Sequence, residues 1–190
     1  MKLLMIAAAI AAVSLAGCKN VDKGSNPSMK EMGEIGYSDI ISYIVEGYQD
    51  HWDEGTPEDL GLSDVYGYCS PEMGFSKKDI DGDGIDELVI GENIDDGPTT
   101  VYDIYSINMK DGSLFHPVRG GERDRFYILS DGTVIEEGSN SAFDSFSRAF
   151  YVKDGELKEV NRAYSPKDFT RIELDRFIVY AQSANTNNYE

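Results

Sequence analysis

The sequence predicts an α+β fold: an N-terminal amphipathic helix, an antiparallel β-meander of about six to eight strands, and a C-terminal helix. Three observations carry this reading. Tyr37, Ile40, Ile41, Ile44, Val45, Tyr48 and Trp52 recur at helical steps, which gives one apolar helix face. From Met73 onward, short apolar runs are separated by Asp-Gly pairs, the strongest short signal for a hairpin. Ser165-Pro166 then offers a helix cap followed by proline at the first helical position, where its missing N–H costs nothing.

Taken in order, the first helix should span 38–52. Ser38 caps it, and Asp39 suits the positive end of its dipole. Gly55, Thr56 and Pro57 should stop it. Residues 57–60 and 63–66 read as short helical turns. Strands are expected at 73–78, 87–91, 100–108, 125–129, 133–135, 149–152 and 157–160. Ser130-Asp131-Gly132 and Lys153-Asp154-Gly155 form turns between them, and Asp111-Gly112 marks another. The last helix should lie within 166–182. An interruption is expected near Ile172, because Leu174 and Phe177 leave the face shared by Phe169, Ile172, Arg176 and Tyr180. Tyr102, Tyr105, Phe126, Tyr127, Phe150 and Tyr151 fall on strands. Adjacent pairs should send one ring inward and one outward. The acidic nine-residue pattern described below occurs once, so a multi-bladed propeller does not fit.

The N-terminus reads as a processing segment. Met1-Lys2 starts it, 3–13 is an apolar run of signal-peptide length, and Leu15-Ala16-Gly17-Cys18 closes it. That ending resembles the bacterial lipobox. The resemblance implies cleavage before Cys18, a diacylglycerol on its sulfur and acylation of the new terminus. Such chains anchor a protein at a membrane without spanning it. The expected organisation is a signal peptide at 1–17, a lipidated Cys18 with a flexible tether at 18–35, one α+β domain at 36–184, and a frayed tail at 185–190. The tether is assigned from its Lys, Asn, Ser and Gly content and its lack of apolar periodicity. The cell envelope, on the extracytoplasmic side of a bacterial membrane, is the expected location. Lys19 is not the aspartate that often retains lipoproteins in an inner membrane.

With Cys18 lipidated, Cys69 is the other cysteine of two. An intramolecular disulfide is then excluded, and a small buried apolar role is expected for it. The chain carries 17 basic against 35 acidic residues, a net charge of −18. No basic stripe offers phosphate contacts, so nucleic acid is excluded as a partner. Metal cations, basic peptides and neutral glycans fit this charge.

Residues 79–87 read Asp79-Ile80-Asp81-Gly82-Asp83-Gly84-Ile85-Asp86-Glu87, and the strand-like Leu88-Val89-Ile90 follows. So many like charges in a tight loop call for a cation. Calcium fits because it takes ~6–8 oxygen ligands in a flexible geometry. Asp79, Asp81 and Asp83 alternate, so their side chains converge as the backbone curls. Gly84 permits the sharp turn, the Ile85 carbonyl faces the ion, Glu87 closes the shell, and Asp86 points to solvent. An EF-hand places its closing Glu at position twelve. Here that position is Ile90 in a strand-like run, so this is not an EF-hand.

The loop resembles the calcium loop of FG-GAP and VCBS-type repeats, in which Asp-x-Asp-x-Asp-Gly-x-x-Asp sits between strands. The resemblance assigns Asp79, Asp81, Asp83 and Glu87 as side-chain ligands and Ile85 as the carbonyl ligand. Glu87 stands where Asp is more usual. A wider resemblance rests on Gly74-Phe75, 79–91, 101–105, 121–127, Asp131-Gly132 and 137–139. These look like uncharacterised lipoproteins of Gram-positive gut bacteria, which pair a helix near Tyr37 with one such loop and a β-meander. Lys77 and Lys78 depart from the apolar residues expected before the loop.

Glu122, Arg123 and Arg125, with Glu137 and Ser139, are a candidate binding cluster. Alternating salt bridges on a sheet face are the plainer use of such charges. His51 and His116 fall in no metal or triad pattern. No phosphate-cradling glycine loop, nucleophile elbow or zinc spacing is present, and no catalytic residue stands out. The expectation is a lipid-anchored extracytoplasmic protein with a domain stabilised by structural Ca²⁺, acting as a binding or interaction module for a glycan or an envelope protein, without catalysis. An envelope hydrolase using paired carboxylates and a purely structural envelope lipoprotein are the alternative readings.

Overall fold

The computed structural model describes residues 29–50, 70–108, 110–121, 123–141 and 144–186. The readings at Cys18, His51, Trp52, Cys69 and Glu122, and the short turns at 57–60 and 63–66, lie outside these residues. Helix α1 is Met29–Asp50. The strands are β1 Met73–Lys78, β2 Glu87–Glu92, β3 Thr100–Ile107, β4 Leu114–Arg119, β5 Asp124–Ile128, β6 Val134–Ser141, β7 Asp144–Lys153, β8 Glu156–Val160 and β9 Asp175–Arg176. Helix α2 is Phe177–Thr186. Among the described residues, no helix is long and apolar enough to cross a membrane.

The strands form one antiparallel sheet in the order β8-β7-β6-β5-β3-β2-β1-β9, with β4 also on β3. Both β4 and β5 run antiparallel to β3, β4 along Asp103 to Ile107 and β5 at Val101 opposite Phe126. The chain therefore continues in one direction past the break at Gly120 and Gly121. The α+β class and the antiparallel meander are as expected. The sheet has one strand more than the upper expectation.

Alternation along the strands separates two main cores. Leu88, Ile90, Tyr105 and Ile107 face one way, with Met73 and Phe75. They pack on Tyr37, Ile40 and Ile44 of α1 and on Phe177 and Ala181 of α2. Val89, Val101 and Ile104 pack with Phe126, Ile128, Val134, Phe150 and Val152 in a second core. The β5–β8 half of the sheet thus folds back over the β2–β3 face that α1 and α2 leave uncovered. A third, smaller cluster lies on the other face of β5–β7. There Leu129, Ile135 and Ala149 are covered by Tyr164 and Phe169, and the Phe169 ring stacks on Tyr127 at 4.2 Å. The expected alternation of rings is seen: Phe126 and Phe150 are buried, whereas Tyr151 is exposed.

Several elements differ from expectation. Helix α1 starts at Met29, inside the segment assigned to the tether, so Ser38 lies within the helix and does not cap it. Lys30, Glu31, Met32 and Glu34 are strong helix formers, and they extend a helix that the apolar face already holds. Strand β4 was not foreseen. It contains Pro117, which is tolerated because β4 is paired on β3 alone. Strands β6 and β7 extend into polar sequence because they pair with each other from Val134–Phe150 to Ser141–Asp144. Finally, Ser165 caps only a 3₁₀ turn, Pro166–Asp168, through a full capping box. The chain then runs extended, because Thr170 bonds Ile128 through its backbone N–H and its hydroxyl and Ile172 enters the second core.

His116 and Tyr105 make a buried polar junction between β3 and β4. His116 Nε2 lies 2.6 Å from Asp103 Oδ1, and the Asp103 side chain is fully buried. The Tyr105 ring stacks on the imidazole at 4.2 Å. Its hydroxyl is buried and, among the described residues, has no hydrogen-bond partner. Burial, followed by the Asp103 charge, pushes the Tyr105 phenol pKa far up. Tyr105→Phe keeps the stack and removes the orphan hydroxyl. It should raise stability by about 1 kcal/mol in urea unfolding.

Candidate metal centre

The acidic loop joins β1 to β2 and is fixed at two points. Ile80 enters the second core and Ile85 the first. The loop therefore bridges the two packed layers. Gly82 and Gly84 have φ of 78° and 89°, in the left-handed region that other residues resist. Nothing would crowd a Cβ at either position, so conformation and not space selects glycine there.

The loop's carboxylates first serve its own backbone. Asp79 Oδ1 accepts the Gly82 N–H at 2.7 Å and Oδ2 accepts that of Gly84 at 3.0 Å. Asp81 accepts from Asp83 N–H at 3.0 Å, and Asp83 from Ile85 N–H at 2.8 Å. These bonds curl the chain and turn the carboxyl groups inward. Each oxygen keeps a lone pair after one such bond.

Glu87 lies at the start of β2 and is 1% exposed. Its Oε2 accepts the Ile80 N–H at 2.8 Å, and its Oε1 accepts the Ser106 hydroxyl of β3 at 3.1 Å. One buried side chain thus ties the loop entrance to the neighbouring strand. Asp79, Asp81 and Glu87 each bring a carboxylate oxygen within 4.8 Å of the others, a triad that could hold a metal ion. Among the described residues this is the one such group. Asp83 lies outside the triad, and the side chain of Ile85 is core.

The electrostatics match a site short of positive charge. Burial pushes the Glu87 carboxyl up to about 7, and the Asp81 and Asp83 charges add to this against the Ile80 and Ser106 hydrogen bonds. Asp81 is also raised, first by burial, and then by the charges of Asp83, Asp79 and Asp154. Asp154 belongs to the β7–β8 turn and was not visible as a neighbour in the sequence. Helix α1 feels the same charge. Tyr37, whose hydroxyl donates to the Tyr105 carbonyl at 3.1 Å, is raised by burial and then by Glu87.

Two Asp-Gly turns support the loop from the far half of the sheet. Gly132 has φ 83°, and a Cβ there would stand 2.0 Å from the Ile80 carbonyl oxygen. Gly155 has φ 77°, and a Cβ there would meet the Phe115 ring at 2.2 Å. The β5–β6 and β7–β8 turns therefore close against the acidic loop and β4. These glycines are needed for space as well as conformation.

A group whose folded pKa is raised stabilises the fold most when it is protonated. Metal-free stability should therefore be highest below the ordinary Glu range, about 4.5, and should fall as pH rises through about 7. Excess divalent cation should flatten that fall, because the ion displaces the proton and then faces a carboxylate. Chemical unfolding at pH 5, 6, 7 and 8, with metal and with chelator, reads both slopes.

The second candidate cluster is partly assembled. Arg125 and Glu137 are cross-strand partners on β5 and β6, and Ser139 follows on the same face. Arg123 is exposed in the turn before β5. Glu137 accepts the Tyr164 hydroxyl at 3.4 Å. Tyr164, from the segment that crosses this face, was missed because nothing local links it to β6.

No protein-family model matches the chain, and no curated protein or solved structure matches it.

Proposed function

We propose that the acidic loop holds one structural calcium ion and that the domain is a non-catalytic binding module, carried on the extracytoplasmic face of a bacterial membrane by a lipid on Cys18. The observation that supports the metal reading best is the convergence of Asp79, Asp81 and Glu87 on one point, with Glu87 buried. A buried carboxylate facing two others is costly unless a proton or a cation joins them. Oxygen donors alone suit calcium, whereas magnesium keeps its waters and uses few protein ligands. Asp83 and the Ile85 carbonyl complete the proposed ligand set.

The ion's place in the fold favours a structural role. Its loop reaches both cores through Ile80 and Ile85, so filling it would stiffen the junction of the two layers. The lipid anchor rests on Leu15-Ala16-Gly17-Cys18 after the apolar run. Intact-mass analysis of the protein from membranes tests the anchor, with Cys18→Ser as control. Loss of the acyl mass in that variant is expected, and an unmodified Cys18 in the parent would contradict it.

A further inference from the structure

Strands β6 and β7 form a ribbon that outruns both of its neighbours. They pair from Val134 opposite Phe150 to Ser141 opposite Asp144. On one side, β5 follows β6 only as far as Gly138. On the other, β8 follows β7 only from Lys153 to Ala149. Among the described residues, no strand pairs with the outer edge of β7 over 144–148. The chain that leaves β8 does not fill the space beside it. A hollow of about 450 Å³ lies there, lined by Ser147, Arg148, Asn161 and Tyr164 among others.

An open edge is a template for another strand. Elsewhere this sheet blunts its edges. Strand β9 has two residues, β4 carries Pro117, and β8 carries Glu156, Lys158 and Glu159. Ser145, Phe146 and Ser147 bring neither charge nor proline to theirs. The residues that flank them select the partner. Asp144, Phe146 and Arg148 share one face by alternation, and the Arg148 guanidinium lies 4.9 Å from the Phe146 ring centroid. That ring lies across Gly138 of β6, away from the open edge. An antiparallel copy of the stretch, centred on Phe146, sets Asp144 opposite the copy's Arg148 and Ser145 opposite its Ser147. Two-fold symmetry repeats both pairs. Arg148 gives one nitrogen to Glu136 at 2.8 Å and keeps further N–H donors. Asp144 is exposed, and among the described residues it accepts only the Asn140 amide, at 3.3 Å. The register ends at Arg148, one residue before the pairing with β8 begins.

We propose that this edge pairs with the same edge of a second copy of the chain, joining two ribbons through an antiparallel β7–β7 seam. A seam this short buries little area, so the dimer should be weak, with a Kd of about 100 µM. At physiological salt the Debye length is about 8 Å. The net charge of −18 therefore acts mainly through groups near the seam, where the two Asp144–Arg148 pairs oppose repulsion. The proposal depends on neither the metal nor the lipid anchor.

Sedimentation equilibrium of the full chain between about 10 µM and about 1 mM, with amide hydrogen exchange at both limits, tests the seam. The mass should rise toward that of a dimer, and amides within 144–148 should gain protection at the upper concentration alone. Asp144→Lys sets a lysine against each Arg148 and should raise the Kd about tenfold or more. Ser145→Lys, at an exposed position, adds a charge to the edge and should raise it as well. Both variants should keep the parent's unfolding midpoint when dilute, which separates a lost seam from a damaged domain. A chain that stays monomeric at the upper concentration would overturn the proposal. So would a dimer whose protection lies elsewhere, or one indifferent to Asp144→Lys.

Discussion

About 1 mM calcium should raise the melting temperature by about 5–10 °C over the chelated protein. The size follows from linkage. A loop with a Kd near ~10 µM is then about 100-fold saturated, which is worth ~2.7 kcal/mol. For a domain of roughly 150 residues, each kcal/mol moves the midpoint by about 2–4 °C. Glu87→Gln should abolish the increment. The variant should not be less stable than the parent in chelator at neutral pH. The amide oxygen can still accept the Ile80 N–H that Glu87 holds at 2.8 Å, and the buried charge is gone. A variant that loses the calcium response while matching or exceeding the parent without metal separates a ligand from a mere structural strut.

Gly132→Ala should cost about 3 kcal/mol or more and also remove most of the calcium increment. Its Cβ would lie 2.0 Å from the Ile80 carbonyl oxygen, at a φ of 83° that alanine resists. The chain can relieve that clash only by moving the Asp131-Gly132 turn or Ile80. Ile80 is where Glu87 grips the loop, so relief at Ile80 disturbs the metal site. Gly84→Ala is the matched control. Its φ is 89°, with no atom within 4 Å of the new Cβ, so only backbone strain of about 1–2 kcal/mol applies. Urea unfolding with and without calcium ranks the two. Equal losses would show that the turn does not brace the loop.

Gly132 and Gly155 also show what was legible in advance. Asp131-Gly132 and Asp154-Gly155 announced hairpins from local chemistry alone, and hairpins formed there. Their role as braces depends on Ile80 and Phe115, each dozens of residues away, and no local pattern carries that. The acidic loop was readable because its ligands are contiguous. Asp154 and Ser106, which act on the same carboxylates, were not. The helix start at Met29 was hidden by a polar composition that suits a tether and a solvated helix face equally. Strand β4 was hidden by His116 and Pro117, whose places are fixed by the buried Asp103 and by pairing on β3 alone. At the C-terminus, the Ser165 cap was read correctly as a helical start. Contacts from Thr170 and Ile172 to distant strands then limited it to a single turn.

Calcium titration of the purified full chain by calorimetry, at pH 7.5 and again near pH 6, tests the central claim most directly. One saturable site per chain is predicted, weaker at the lower pH, where the ion must displace the proton held by Glu87, and absent in Asp81→Asn/Glu87→Gln. An isotherm without saturable heat, or one that survives the double substitution, would contradict it.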